Sequence, residues 1–403
     1  MLDFEAARQR IVALATPLGV ARVGLLEAVG RCLAEDVTAP RDQPCRDTSA
    51  MDGYAVATRS CEGVGPFRLR VRGESRAGSP LAALHEGTAC RIFTGALLPS
   101  GADAVVLQEN VESDAEYIRF NVVPTLGEHV RRQGQDLREG QIALAKGTRI
   151  SAFSIGLLAS LERQQVLVTA RPRVAILCTG DELYAIGLQP EHLESRESDA
   201  RIPESNGIAI AALCRSVGAQ VDLLPPVKDD PEAVRRALEP WFERSDVVFT
   251  IGGVSVGDHD RVREGLELAS ATVDFWKVRI KPGKPLLVAR RGACIILGLP
   301  GNPVSSQVTF SLFGAPLLRA MQGDARPIPE TSYAKLTHAI EQKPGRAGFY
   351  RVRLSGEYAE PLSNQSSGSS ASVALADGLA LVPAESAGMA AGESIRVLRL
   401  QDI

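Results

Sequence analysis

Val174-Ala175-Ile176-Leu177-Cys178-Thr179 is an apolar run that opens directly into Gly180-Asp181-Glu182. It is short, rich in branched residues and bounded by a turn, so it reads as a strand. A strand apolar on both faces is buried on both faces, as in a parallel sheet held between helices. Outward from this run, 206–217 predicts a helix, 219–224 a strand and 230–244 a helix capped by Asp230 ahead of Pro231. Val247–Ile251 predicts a second buried strand and 259–269 a helix. Cys294–Leu299 predicts a third strand, leading into a helix near 303–313. Strands and helices in this order make a doubly wound α/β domain, placed at 171–325.

The flanking texture differs. Residues 2–36 read as helical, with Asp3 as a cap, an apolar face of Phe4, Ile11, Val12 and Leu14, and an interruption at Pro17 and Gly19. Residues 37–60 turn irregular, 63–149 carry short alternating runs between glycine and proline turns, and 151–165 read as helix again. The predicted plan is multidomain α/β and β. An elongated helical domain (1–40 and 141–170) holds an inserted β-rich domain (41–140). The α/β domain follows, and a small C-terminal β domain (326–403) begins after a linker around Gly323–Pro329. The serine-rich stretch 363–372 reads as a loop.

Composition sets the bounds of function. Over 403 residues, 45% are hydrophobic and 23% charged, which is ordinary for a globular chain. A formal net charge of −3 excludes a broad electrostatic attraction to nucleic acid or anionic membrane. No apolar stretch reaches the length of a membrane span, and no basic segment followed by an apolar one suggests a signal peptide. Seven scattered cysteines with no CxxC pair argue against a disulfide framework and a cysteine zinc site, and point to a reducing, cytoplasmic setting. The five histidines have no metal-ligand spacing. Lysine is the outlier: of seven in the chain, three fall between Lys277 and Lys284.

Ligands of open α/β sheets bind at the carboxyl ends of the strands. Three loops leave such ends here: Thr179-Gly180-Asp181-Glu182, Gly252-Gly253-Val254-Ser255-Val256-Gly257-Asp258-His259-Asp260 and Pro300-Gly301-Asn302-Pro303-Val304-Ser305. The glycine loop offers amides and a hydroxyl to an anion ahead of a helix. It lacks the lysine of a P-loop and the spacing of a dinucleotide fingerprint, and alone a glycine pair is commonly just a tight turn. In Phe275-Trp276-Lys277-Val278-Arg279-Ile280-Lys281 the apolar residues alternate with cations, which predicts a strand with three cations on one face. Lys281-Pro282-Gly283-Lys284-Pro285 then presents two lysines on a stiff turn. Glu182, Asp258 and Asp260 follow strand ends, and Asp52 and Asp136 lie in the inserted region. Carboxylates beside a phosphate site suggest Mg²⁺, although many such residues simply cap helices.

These motifs together resemble the MoeA and gephyrin E-domain family of molybdopterin molybdenumtransferases. The resemblance is carried by Ser49-Ala50-Met51-Asp52-Gly53-Tyr54-Ala55-Val56, Arg91-Ile92-Phe93-Thr94-Gly95-Ala96 and Thr179-Gly180-Asp181-Glu182-Leu183. Gly252-Gly253-Val254-Ser255-Val256-Gly257, Lys281-Pro282-Gly283-Lys284-Pro285 and Leu299-Pro300-Gly301-Asn302-Pro303-Val304-Ser305 complete it. It implies the four-domain plan and a homodimer in which the inserted domain of one subunit faces the α/β domain of the other. It implies a reaction in which adenylylated molybdopterin and molybdate give molybdenum cofactor and AMP, with Mg²⁺ held by Glu182 and Asp260. The adenylylating enzyme of the pathway is an implied partner.

Functional positions carried over by the resemblance are Asp52, Thr94 and Asp136 in the inserted region. In the α/β domain they are Glu182, Asp229, Asp260, Lys277, Lys281, Pro300 and Pro303. Gly252, Gly253 and Asn302 fall in the binding loops, Lys284, Ser255 and Ser305 match oxyanion positions, and Arg351 and Ser367 match contributions from the last domain. One departure stands out: Glu204-Ser205-Asn206 replaces the family's Asp-Ser-Asn, after a long charged stretch at 184–204. Two other readings stay open on this fold. One is a gephyrin-like scaffold that binds partner peptides without catalysis. The other is an adenylyltransferase, which the inserted and C-terminal domains disfavour.

Overall fold

The computed structural model describes residues 1–114, 116–186, 201–253 and 261–402. The chain separates into two compact units: Met1–Glu35 with Lys146–Ile403, and Asp36–Ala145.

The larger unit is organised around the predicted sheet. Arg173–Cys178 lies between Gln220–Leu223 and Val247–Ile251, and Cys294–Leu299 lies beyond Val247–Ile251, all four parallel. The antiparallel strands Leu287–Arg291 and Thr272–Trp276 extend that edge. Every residue of Val247–Ile251 is buried, as an apolar run sandwiched between helices should be. Alternate side chains feed opposite layers. Val174, Ile176 and Phe249 pack with Ile210, Phe310 and Phe313. Ala175, Leu177 and Val248 pack with Val234, Leu238 and Leu266 on the other face. Asp230 caps the helix Pro231–Leu238 by accepting the Ala233 amide at 2.7 Å, and Pro231 takes the first turn, where it sacrifices no hydrogen bond.

The C-terminal segment folds as expected into a small β domain. Ala347–Ser355, Tyr358–Pro361, Thr331–Leu336, Ser394–Arg399 and Gly378–Val382 pair in that order, and the last strand returns to the first. Ile280–Lys281 from the α/β segment adds to this sheet, parallel to Ala347–Gly348. The serine-rich stretch is loop up to a short helix, Ser370–Ala374.

At the amino terminus the structure corrects the helical reading of 2–36. The helix is only Phe4–Val12, with Asp3 accepting the Ala6 amide at 2.9 Å. Beyond Pro17 the chain becomes the strand Val20–Gly24, paired antiparallel with Gln165–Thr169. The predicted helix at 151–165 is likewise Ala152–Ser160, started by a Ser151–Ser154 capping box. In both places β-branched valines find a strand partner, and tertiary pairing overrides local helical spacing.

The smaller unit is β-rich. Its main sheet has the order Ala104–Leu107, Gly53–Val56, Thr88–Ile92, Phe67–Ser75, Tyr117–Phe120, Glu112–Ser113. Val56, Phe67, Leu69, Ala89 and Ile118 form its core. Among the described residues, no helix is long and apolar enough to cross a membrane.

Candidate functional site

The carboxyl ends of Arg173–Cys178, Val247–Ile251 and Cys294–Leu299 open onto a cleft of about 420 Å³. Its wall takes in Glu182, Asp229, Gly252, Gly253, Pro300, Asn302 and Pro303, bringing together residues from four loops far apart in sequence. The loops are held closely. The Thr179 amide donates to Ile251 O at 2.9 Å, and Asn206 Nδ2 donates to Gly301 O at 2.6 Å. Gly252 sits at φ +92, where a Cβ would come within 2.3 Å of Thr179 O, so only glycine lets these two loops meet.

The cleft is rich in carboxyl oxygen. Glu182 is exposed and Asp229 half-buried. Asp229 Oδ1 and Thr179 Oγ1 are buried with no hydrogen-bond partner among the described residues. A buried orphan oxygen carries an uncompensated desolvation cost, and two on one wall mark a place built to meet a donor or a cation. Glu204 is 5% exposed and lines the same cleft. Its Oε1 accepts the Gly207 amide at 2.6 Å and the Cys178 thiol at 3.2 Å. Burial and then the neighbouring Glu204 charge push the Cys178 thiol far above its ordinary value, so it is neutral.

A second cavity, of about 330 Å³, shares Pro285, Pro300 and Asn302 with the cleft. It is basic: Lys281, Lys284, Arg346 and Arg351 line it together with Ser305 and Ser367. Arg351 is 1% exposed, and burial lowers its pKa. Its Nη2 donates to Asn364 O and Ser366 O, both at 3.1 Å, and its Nε to Ser372 Oγ at 3.2 Å. These acceptors are neutral, so the guanidinium charge remains available to an anion. Gly283, at φ +101, makes the lysine turn possible: a Cβ there would meet Thr309 Cγ2 at 2.4 Å. The Val304 amide donates to Ser367 O at 3.0 Å, tying the loop at 363–372 to the start of the Pro303–Thr309 helix.

The predicted continuous strand over 275–281, with three cations on one face, is not what forms. Thr272–Trp276 ends at Lys277, which takes φ +72. The Lys277 amide donates to Leu286 O at 3.1 Å, Val278 bridges to Leu2, and Ile280–Lys281 joins the C-terminal sheet. The turn breaks the two-residue period, so Lys277, Arg279 and Lys281 do not form one cationic strand face. Lys281 and Lys284 line the basic cavity, whereas Lys277 Nζ lies 3.5 Å from the centre of the Trp276 ring.

Asp52, Thr94 and Asp136 belong to the smaller unit. Asp52 Oδ1 accepts both the Thr94 amide at 2.7 Å and Thr94 Oγ1 at 2.8 Å. These bonds, the amide first, hold its carboxyl below the usual range, with help from Arg91. Asp136 is exposed, and its amide donates to Gln43 O at 2.9 Å. Ser255 and Asp260, with Asp258 and His259, lie outside the described residues. No group of three or more His, Cys, Asp or Glu side chains suited to a metal occurs among the described residues.

Sequence reasoning missed Arg346 and the orphan hydroxyl of Thr179. Arg346 had a signal: Lys343-Pro344-Gly345-Arg346 repeats the pattern of Lys281-Pro282-Gly283-Lys284, and both turns deliver a cation to one cavity.

Comparisons with known proteins cover the whole arrangement. Three family models match in order: "MoeA N-terminal region (domain I and II)" at residues 2–161, "Probable molybdopterin binding domain" at 175–320 and "MoeA C-terminal region (domain IV)" at 333–400. A molybdopterin molybdenumtransferase of Nostoc sp. is 36% identical over 393 residues, covering 94% of this chain and 88% of that protein. One from Synechococcus elongatus is 33% identical over 413 residues, covering 99% and 100%. The crystal structure of a molybdopterin biosynthesis MoeA protein from Pyrococcus horikoshii superposes with a TM-score of 0.86 at 26% identity, over 98% of this chain and 99% of that one. A second structure of a MoeA protein from that organism gives 0.78 at 29% identity, over 99% of both. With matches running from end to end, the chain belongs to the MoeA family of molybdopterin molybdenumtransferases.

Proposed function

We propose that this protein inserts molybdenum during molybdenum cofactor biosynthesis, converting adenylylated molybdopterin and molybdate to molybdenum cofactor and AMP. The observation that carries the reading is the pairing of an oxygen-rich cleft with a basic cavity across a shared wall of Pro285, Pro300 and Asn302. A substrate with a phosphoanhydride at one end and a dithiolene awaiting an oxyanion at the other needs both environments side by side.

In this reading molybdate enters the basic cavity, where Lys281, Lys284 and Arg351 compensate its charge and Ser305 and Ser367 offer hydroxyls. One charge-assisted hydrogen bond contributes about 1.5–3 kcal/mol, so three converging cations can hold a dianion that water otherwise solvates well. Gly252 and Gly253 let the phosphate-bearing end approach the backbone. Glu182, Asp229 and Thr179 supply hard oxygen donors, and two of their atoms are buried without partners among the described residues. That donor set suits Mg²⁺, which takes one or two carboxylates and completes its shell with water and substrate phosphate. Glu182 would hold the ion together with Asp260, and the ion would neutralise charge at the phosphoanhydride. Water serves as the nucleophile, and no protein nucleophile is needed: the cleft's one thiol, Cys178, is kept neutral.

The acting species is a homodimer in the cytoplasm, receiving its substrate from an adenylylating enzyme. The test is AMP release from adenylylated molybdopterin by the purified protein. Release that requires molybdate supports the reading; no release with any metal supplied would return the scaffold reading to the front.

A further inference from the structure

At the opposite end of the parallel sheet, where Arg173–Cys178 and Gln220–Leu223 begin, lies a groove of about 510 Å³. Three arginines line it, Arg31, Arg171 and Arg173, with Asp246 as the one carboxylate among the described residues. Asp246 is already committed. Arg173 donates to it from its amide at 2.7 Å, from Nη2 at 2.9 Å and from Nε at 3.3 Å. Two positive charges are left over. Arg171 Nη1 donates to a neutral carbonyl, Gly218 O, at 3.2 Å. Arg31 is 7% exposed, donates from Nη2 to Thr169 O at 2.8 Å, and has a buried Nε with no acceptor among the described residues. Burial, and then repulsion from Arg171, lower the Arg31 pKa, so the two guanidiniums feel each other.

A buried charge facing a like charge is costly unless something neutralises it. Guanidinium groups match the geometry of tetrahedral oxyanions through paired N–H donors. We propose that Arg31 and Arg171 form an anion site for a small phosphate-class oxyanion, separate from the cleft and from the basic cavity. It shares no residue with either. Gln220 and the backbone around Gly19 and Ala170 close the rest of the groove. An anion bound there would bridge the segment that follows the strand Val20–Gly24, which holds Arg31, and the segment entering the parallel sheet, which holds Arg171.

The test is equilibrium dialysis with radiolabelled inorganic phosphate. The Lys281→Ala/Lys284→Ala background weakens the basic cavity, so binding there is not mistaken for binding at Arg31. The proposal expects one phosphate per chain to remain bound in that background. Adding Arg171→Ala should weaken it about tenfold, the loss of one charge-assisted hydrogen bond. Arg31→Lys, which keeps the charge but not the fork, should weaken it too. Phosphate binding that vanishes with the two lysines, or that ignores Arg171→Ala, overturns the proposal. Because phosphate is the probe, the result is independent of whether the protein inserts molybdenum.

Discussion

The carboxylate of Glu204 accepts the Cys178 thiol at 3.2 Å, fastening the last residue of the first parallel strand to the start of the helix Asn206–Ser216. The same oxygen accepts the Gly207 amide at 2.6 Å, so one side chain caps the helix and holds the strand end. The length of the glutamate side chain lets a residue two places before the helix reach its first turn.

Glu204→Ala should therefore remove a cap and a buried acceptor at once, costing about 1–3 kcal/mol of stability. Glu204→Gln, which keeps an acceptor oxygen, should cost less. Urea denaturation followed by circular dichroism measures both. Equal midpoints for wild type and Glu204→Ala would contradict the capping role.

Thiol chemistry should be sharply selective. Of the seven cysteines only Cys45 is exposed. Burial, the first cause in each case, pushes Cys32 and Cys61 up to about 11. Native protein treated with iodoacetamide near pH 8 should take up one equivalent, at Cys45. The same shifts fix the alkaline behaviour. Above about pH 9 these thiols ionise in the unfolded chain but stay protonated when folded, so the folded state binds more protons and stability falls as pH rises. Labelling of several thiols without denaturant would refute this.

Asp52 and Thr94 make the opposite prediction at low pH. A carboxyl held below its usual range adds stability that is present above the unfolded value and lost as pH falls through the folded one. Thr94→Val removes one of the two Thr94 donors and leaves the amide. The Asp52 titration followed by carbon NMR should then move upward, part of the way to the ordinary value. No movement would mean that the hydroxyl contributes nothing.

The three clustered lysines should separate in kinetics. Lys281→Ala and Lys284→Ala remove cavity cations and should each raise the molybdate KM about ten- to a hundredfold. Lys277 lies over Trp276 and lines neither cavity, so Lys277→Ala should change molybdate KM much less. Steady-state AMP release at varied molybdate distinguishes them. Equal KM effects for all three would contradict the separation of Lys277 from the basic cavity.

Which features could be read from the sequence follows from which forces act locally. Val174–Thr179, Val247–Ile251 and Cys294–Leu299 were legible because burial on both faces demands unbroken apolar runs, and the loops after them were legible because ligands meet such sheets there. The Asp3 and Asp230 caps were legible because capping is decided within four residues. The strand at Val20–Gly24 was not, because its reason to exist is a partner at Gln165–Thr169. Nor was the break at Lys277, where a left-handed φ and a switch between two sheets override a clean alternation. The orphan oxygens of Thr179 and Asp229 exist only once loops distant in sequence are brought together.

Under the proposed function, the acidic cleft and the basic cavity act as one catalytic site. Molybdate-dependent AMP release from adenylylated molybdopterin tests it most directly, measured for wild type, Glu182→Ala and Lys281→Ala under identical conditions. The expected result is AMP release by the wild type only with molybdate, and a large loss in both variants, one from each cavity. Wild-type rates in both variants would contradict it.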